Sequence, residues 1–170
     1  MLLPYIIQLV SILINMSRLT GDELPMNASQ LYEKDFYAWT VEMARALKSK
    51  AIDQLDFEHL CEELEDMGAS QERELESRLA ILIMHLLKWE YQPTYQSKSW
   101  SLTIKEQRRK IQRRLNKTPS LKSKVNNMLD DVYGDALLSA QKETGLDESV
   151  FPSKLPYSLK QLLDDNFYPQ

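Results

Sequence analysis

Residues 60–89 read LCEELEDMGASQERELESRLAILIMHLLKW, and the phase of this stretch decides the fold. Leu60, Leu64, Met67, Gln71, Leu75, Leu79, Leu82, Leu86 and Trp89 recur at three- and four-residue steps and keep that phase through Gly68. Such spacing puts them on one face of an α-helix. Asp56 is a good N-cap ahead of it, and Leu55 with Leu60 has the spacing of a hydrophobic staple. Pro93 supplies the stop. The spacing predicts one helix from Asp56 to about Glu90, with a bend at Gly68. At ~1.5 Å per residue it is about 50 Å long, long enough to be the spine of a domain.

Working outward, the same periodicity appears on both sides. A helix is expected over 28–49, with Asn27 and Gln30 at capping-box spacing and Tyr32, Phe36, Trp39, Met43 and Leu47 as its buried stripe. A third helix covers roughly 101–116 with a thin apolar face of Ile104, Ile111 and Leu115. The fourth opens at Thr118 and Pro119, a favoured N-cap and first-position pair. It carries Leu121, Val125, Met128, Leu129, Val132, Ala136, Leu137 and Ala140, and Gly145 suits its C-terminal cap. After a proline-punctuated tail, a short helix over about 157–164 offers Leu159, Leu162 and Leu163. No strand pattern or repeat competes. With only four Gly in 170 residues and abundant helix formers, the chain reads as all-α: a single-domain bundle, residues 27–170, of four main helices plus a short C-terminal one.

Residues 1–26 differ from the rest. Leu2 to Ile14 is apolar apart from Gln8 and Ser11. About 13 residues of helix reach roughly 20 Å, short of a bilayer core of ~30 Å. A secretory signal needs a cation ahead of the apolar run, and the first one here, Arg18, follows it. Three readings stay open: an upstream start with Met16 or Met26 the real first residue, an interfacial or partner-binding helix, or a weak membrane anchor. No stable membrane insertion is expected. The single cysteine, Cys61, excludes an internal disulfide and suits a reducing compartment, so a cytoplasmic location is expected. Cys61 reads as a small core residue.

Several segments resemble the bacterial "domain of unknown function 29" family, common in cyanobacteria. They are Leu31-Tyr32-Glu33-Lys34-Asp35-Phe36-Tyr37-Ala38-Trp39, Glu62-Glu63-Leu64-Glu65-Asp66-Met67-Gly68, His85-Leu86-Leu87-Lys88-Trp89 and Gln92-Pro93. Trp100 with Glu106-Gln107-Arg108, Pro119-Ser120-Leu121, Tyr133, Pro156-Tyr157 and Phe167-Tyr168-Pro169 complete the set. The resemblance spans Leu31 to Pro169. It implies a compact helical protein that starts shortly before the Leu-Tyr-Glu motif, which favours Met26. It implies no established activity and transfers no catalytic residue.

Charge is sorted along the chain. From Asp53 to Glu76 stand ten acidic residues and one cation, Arg73; from Lys98 to Lys124 stand ten cations and one acid, Glu106. These blocks either neutralise each other inside the fold or face different partners. Lys105, Arg109, Arg113 and Lys117 follow i+4 spacing along the third helix. Such a stripe can be a solvated face that neutralises the acidic helix, a phosphate-backbone track with Trp100 stacking on bases, or a seat for an acidic protein. Arg108 falls on the apolar face instead, between Ile104 and Ile111. A buried guanidinium needs partners, and Glu62, Glu65 and Asp66 are the expected ones, as a structural ion pair.

Catalytic signatures are sparse. The carboxylates Glu62, Glu65 and Asp66, with Asp131 and Asp135, can be imagined around Mg²⁺ as in helical nucleotide hydrolases, but they lack a clean paired Glu-x-x-Glu and Glu-x-x-Asp pattern. A di-iron bundle needs two Glu-x-x-His units, and only two His exist. His85 reads as a core histidine and His59 as part of a solvated ion pair with Glu63 or Asp66. Neither a phosphate-cradling glycine loop nor a nucleophile elbow is present. The reading is therefore a non-catalytic interaction protein with a protein partner. No cofactor or resident metal is expected, nucleic-acid binding is the alternative, and a metal-dependent hydrolase is the third possibility.

Overall fold

The computed structural model describes residues 28–170, so the apolar leader and Asn27 of the expected capping box lie outside the described residues. Six α-helices follow in order: α1 (Ala28–Lys34), α2 (Phe36–Ser49), α3 (Phe57–Tyr91), α4 (Lys98–Lys117), α5 (Val125–Thr144) and α6 (Leu159–Leu163). Short 3₁₀ turns join most of them. No strand occurs among the described residues, and the class is all-α. The described residues form two compact units, 28–66 and 67–170.

In the first unit, the expected single helix over 28–49 is two helices. Asp35 interrupts it, and its carboxylate accepts from the Ala38 backbone N–H at 2.9 Å as the N-cap of α2. Aspartate favours caps over helix interiors because its short side chain competes for nearby backbone N–H groups. Trp39, Met43 and Ala46 are buried, whereas Phe36 and Leu47 of the expected stripe are exposed. Lys50, at φ 58°, ends α2 in a left-handed cap. Asp56 then anchors the start of α3. Its backbone N–H points to the Met43 sulfur at 3.3 Å, and its carboxylate accepts from the Trp39 indole at 3.3 Å.

In the second unit, α3 supplies the core. Leu75, Leu79, Leu82, Ile83, Leu86 and Leu87 are completely buried. Burial on several sides explains why this stretch is almost continuously apolar rather than striped. Ile104, Ile111 and Leu115 of α4, Val125, Val132, Ala136 and Ala140 of α5, and Phe151, Tyr157 and Leu162 of the tail complete the cluster. The predicted stripe is not buried along its whole length: Leu64 and Met67 are 65% and 64% exposed. Ser97 caps α4, accepting from Trp100 N–H at 3.3 Å. Thr118 and Pro119 open a 3₁₀ turn, Pro119–Ser123, instead of the fourth long helix, which begins at Val125. Gly145 (φ 71°) closes α5 as expected. A reciprocal capping box between Ser158 and Gln161 opens α6.

The tail is fastened by Arg108, whose side chain is fully buried. Its Nε donates to the Leu162 carbonyl at 2.9 Å and its Nη2 to the Phe167 carbonyl at 2.6 Å. Gln112, one turn on, donates to the Leu163 carbonyl at 2.9 Å, and the Tyr168 ring lies 5.4 Å from the guanidinium carbon. The carboxylate partners expected for Arg108 are thus replaced by carbonyls. Glu62, Glu65 and Asp66 are exposed residues of the first unit. A five-residue helix leaves most of its carbonyls without internal partners, and α6 hands those of Leu162 and Leu163 to Arg108 and Gln112. Burial pulls the Arg108 pKa below its ordinary value, yet arginine stays charged in proteins.

Arg108→Met is expected to destabilise the protein by about 2–5 kcal/mol in urea unfolding, because two carbonyls lose their donor. Arg108→Lys should recover only a fraction, since one ammonium cannot reproduce the fork. Leu64→Ala, at an exposed site, should stay within about 0.5 kcal/mol of the parent.

Candidate functional site

Apart from the buried Arg108 and the outlying, exposed Lys98 and Lys122, the basic block of the sequence divides into two sets within the second unit. One set is neutralised. Arg114 pairs with Glu74 and donates to the Gln71 side-chain oxygen, Lys124 pairs with Glu72, and Lys110 pairs with Glu106 at 2.5 Å. Glu74 also accepts from Arg78, at 3.0 Å from Nε and 2.6 Å from Nη2. Glu106 is held below the usual carboxylate range, first by its bond from Lys110. The other set is Lys105, Arg109, Arg113 and Lys117. All four are exposed, and none has a counter-charge among the described residues. Their i+4 spacing carries the row over ~18 Å of helix.

A shallow depression of about 400 Å³ lies along this row, lined by Leu102, Lys105, Glu106, Arg109, Lys110 and Arg113. Leu102 is an exposed apolar residue beside the cations. Trp100, expected to stack on bases, has a cation over its ring. It is half-buried, with the Lys88 ammonium 4.4 Å from its ring centroid, and that ammonium also pairs with Glu143.

The acidic candidates do not converge. Glu62, Glu65, Asp66, Asp131 and Asp135 are exposed, and among the described residues no group of three or more His, Cys, Asp or Glu comes together to hold a metal ion. Cys61, expected in the core, is exposed. His85 is half-buried, and its Nδ1 lies 2.9 Å from the Ile81 carbonyl. Burial lowers its pKa.

Sequence reasoning missed one cluster, in the first unit. His59 does not pair with Glu63 or Asp66; its Nδ1 lies 2.7 Å from Asp56 Oδ2. The ring stacks on Tyr32 at 3.9 Å between centroids, and the Tyr32 hydroxyl donates to Glu63 at 2.8 Å. That bond is the main reason the Tyr32 pKa is pushed up to about 12. Burial works to raise the Asp56 carboxyl, but bonds from His59 and Trp39 outweigh it and leave the pKa lowered. The same bond to Asp56 raises His59 against the opposing effect of burial. The signal was present as Asp56-x-x-His59, an i,i+3 pair at a helix start. Asp56 caps α3, holds the Trp39 indole and orients the imidazole at once, so the cluster staples α1, α2 and the start of α3 together.

A raised histidine pKa contributes stability that is full below the unfolded value of 6.5 and is lost as pH rises through the folded value. The parent protein should therefore lose melting temperature above pH 6.5 relative to His59→Gln. The difference between the two should vanish if the pair is not formed in solution. His85, shifted the other way, loses stability towards acid and is common to both proteins, so it cancels in the comparison.

Among the described residues no helix is long and apolar enough to cross a membrane. No curated protein and no solved structure matches the chain. The family model described as "Domain of unknown function DUF29" matches residues 31–168, from the Leu-Tyr-Glu motif of α1 to the tyrosine beneath Arg108. That match takes in both compact units, all but the first turn of the described helices and nearly all of the tail, and on it the chain belongs to the DUF29 family.

Proposed function

We propose that this protein is a non-catalytic interaction module that binds an acidic protein partner through the exposed face of α4. The observation that carries this reading is the division of the basic block. The chain spends Glu72, Glu74 and Glu106 on Lys124, Arg114, Arg78 and Lys110, and leaves Lys105, Arg109, Arg113 and Lys117 in one exposed row. A protein of net charge −4 that keeps such a row bare has a surface suited to steering a complementary one. Leu102 at its edge adds an apolar contact of the kind protein interfaces use. Nucleic acid is the less favoured partner, because Trp100, the aromatic expected to stack, is half-buried with the Lys88 ammonium over its ring.

The test is fluorescence anisotropy of the full chain against three probes at several salt concentrations: a Glu-rich helical peptide, single-stranded RNA and duplex DNA. The peptide should bind, and reversing Arg109 and Arg113 to Glu should weaken it roughly 10- to 100-fold, at about 1 kcal/mol or more per charge. RNA or DNA binding tighter than the peptide, with a steep salt slope, would replace the protein reading by a nucleic-acid one. No binding to any probe at low salt would remove the α4 face from consideration.

A further inference from the structure

A second, smaller groove adjoins the exposed row, of about 150 Å³, lined by Glu74 and Arg78 of α3 and by Lys110, Arg113, Arg114 and Lys117 of α4. Five cations face one carboxylate there. Glu74 does not quench the groove so much as set its geometry. One of its oxygens accepts both Nε and Nη2 of Arg78, while the other pairs with Arg114. Gln71 takes a further bond from Arg114. Two guanidiniums are thereby fixed before any ligand arrives, which reduces the ordering cost of binding. Arg113 and Lys117 have no partner among the described residues and stand at the rim. The Arg78 and Arg114 side chains are only 25% and 21% exposed, so salt screens this groove less than the open row.

We propose that this groove seats a phosphomonoester dianion presented by a phosphorylated segment of the protein partner. The inference rests on the partner-binding reading above and names the chemistry of the bound group. Size and charge select it. The volume equals about five waters at ~30 Å³ each, enough for a tetrahedral oxyanion. A carboxylate brings one charge and two acceptor oxygens, and Glu74 already fills that role. A phosphomonoester brings nearly two charges and three strong acceptors, which matches the remaining excess and the guanidinium forks. Arg113 and Lys117 belong to both the row and the groove, so a segment lying along α4 delivers its phosphate there.

The experiment titrates the full chain with an acidic helical peptide carrying one phosphoserine, the same peptide unphosphorylated, inorganic phosphate, and phosphatidate-containing vesicles. The phosphopeptide should bind at least tenfold tighter than its unphosphorylated form. That gain should fall severalfold in Arg113→Gln and in Lys117→Gln, neither of which removes an internal pair. Arg78→Gln should abolish the gain, with unfolding monitored by circular dichroism. Equal binding of the two peptides overturns the phosphate seat while the partner-binding reading stands. Failure of both peptides sinks that reading as well. Vesicles that outcompete the phosphopeptide overturn the protein source. Inorganic phosphate that displaces the phosphopeptide, leaving the unphosphorylated peptide bound, supports the seat.

Discussion

One guanidinium holds the second unit closed. The tail from Phe151 to Tyr168 has little regular structure of its own, yet it contributes Phe151, Tyr157 and Leu162 to the core. Backbone in such a tail carries polar groups that must be matched. Arg108 meets the Leu162 and Phe167 carbonyls, Gln112 meets the Leu163 carbonyl, and the Tyr133 hydroxyl donates to the Pro152 carbonyl at 2.5 Å. The Tyr157 hydroxyl donates to Glu90 at 2.5 Å, and burial, reinforced by that carboxylate, pushes its pKa well up. Among the described residues two side chains carry a full charge into this cluster: Lys88, which reaches Glu143 at the surface, and Arg108, which is completely buried.

Helix α4 shows how one amphipathic segment can serve four environments. Ile104, Ile111 and Leu115 face the core, Arg108 and Gln112 take the tail, Lys110 and Arg114 meet acids, and Lys105, Arg109, Arg113 and Lys117 stay exposed. A helix repeat of ~3.6 residues makes this partition possible within twenty residues, because successive cations turn to different neighbours. Net composition conceals it: Glu106 neutralises Lys110 within α4 itself, while Glu72 and Glu74, which take Lys124 and Arg114, sit on α3, 40 to 52 residues earlier in the chain.

The helices were legible because apolar periodicity, caps and the glycine and proline stops all agreed. Asp56, Gly145 and the long run of α3 are examples. Where the structure departs, local polar chemistry or missing neighbours explain it. Asp35 caps α2 from the surface although the apolar phase continued across it. Leu64 and Met67 share the phase of Leu75 and Leu79 but are exposed, since periodicity states which face is apolar and not what covers it. Arg108 was legible as buried; its partners were not, because main-chain carbonyls leave no mark in a side-chain pattern. The bare row of α4 was equally undecidable in advance, since bare and neutralised cations carry the same letters.

The contacts of Arg108 span 54 and 59 residues of chain, to carbonyls near the far end of the matched family domain. During synthesis α3, α4 and α5 emerge well before those carbonyls exist. Until residue 167 has cleared the ribosome, the helices present an open apolar trough and a charged group with no partner. The bonds that fasten the tail to the second unit are therefore among the last that a nascent chain can make. Any pause or cleavage upstream of the tail leaves a helical but unsealed intermediate of the kind chaperones recognise.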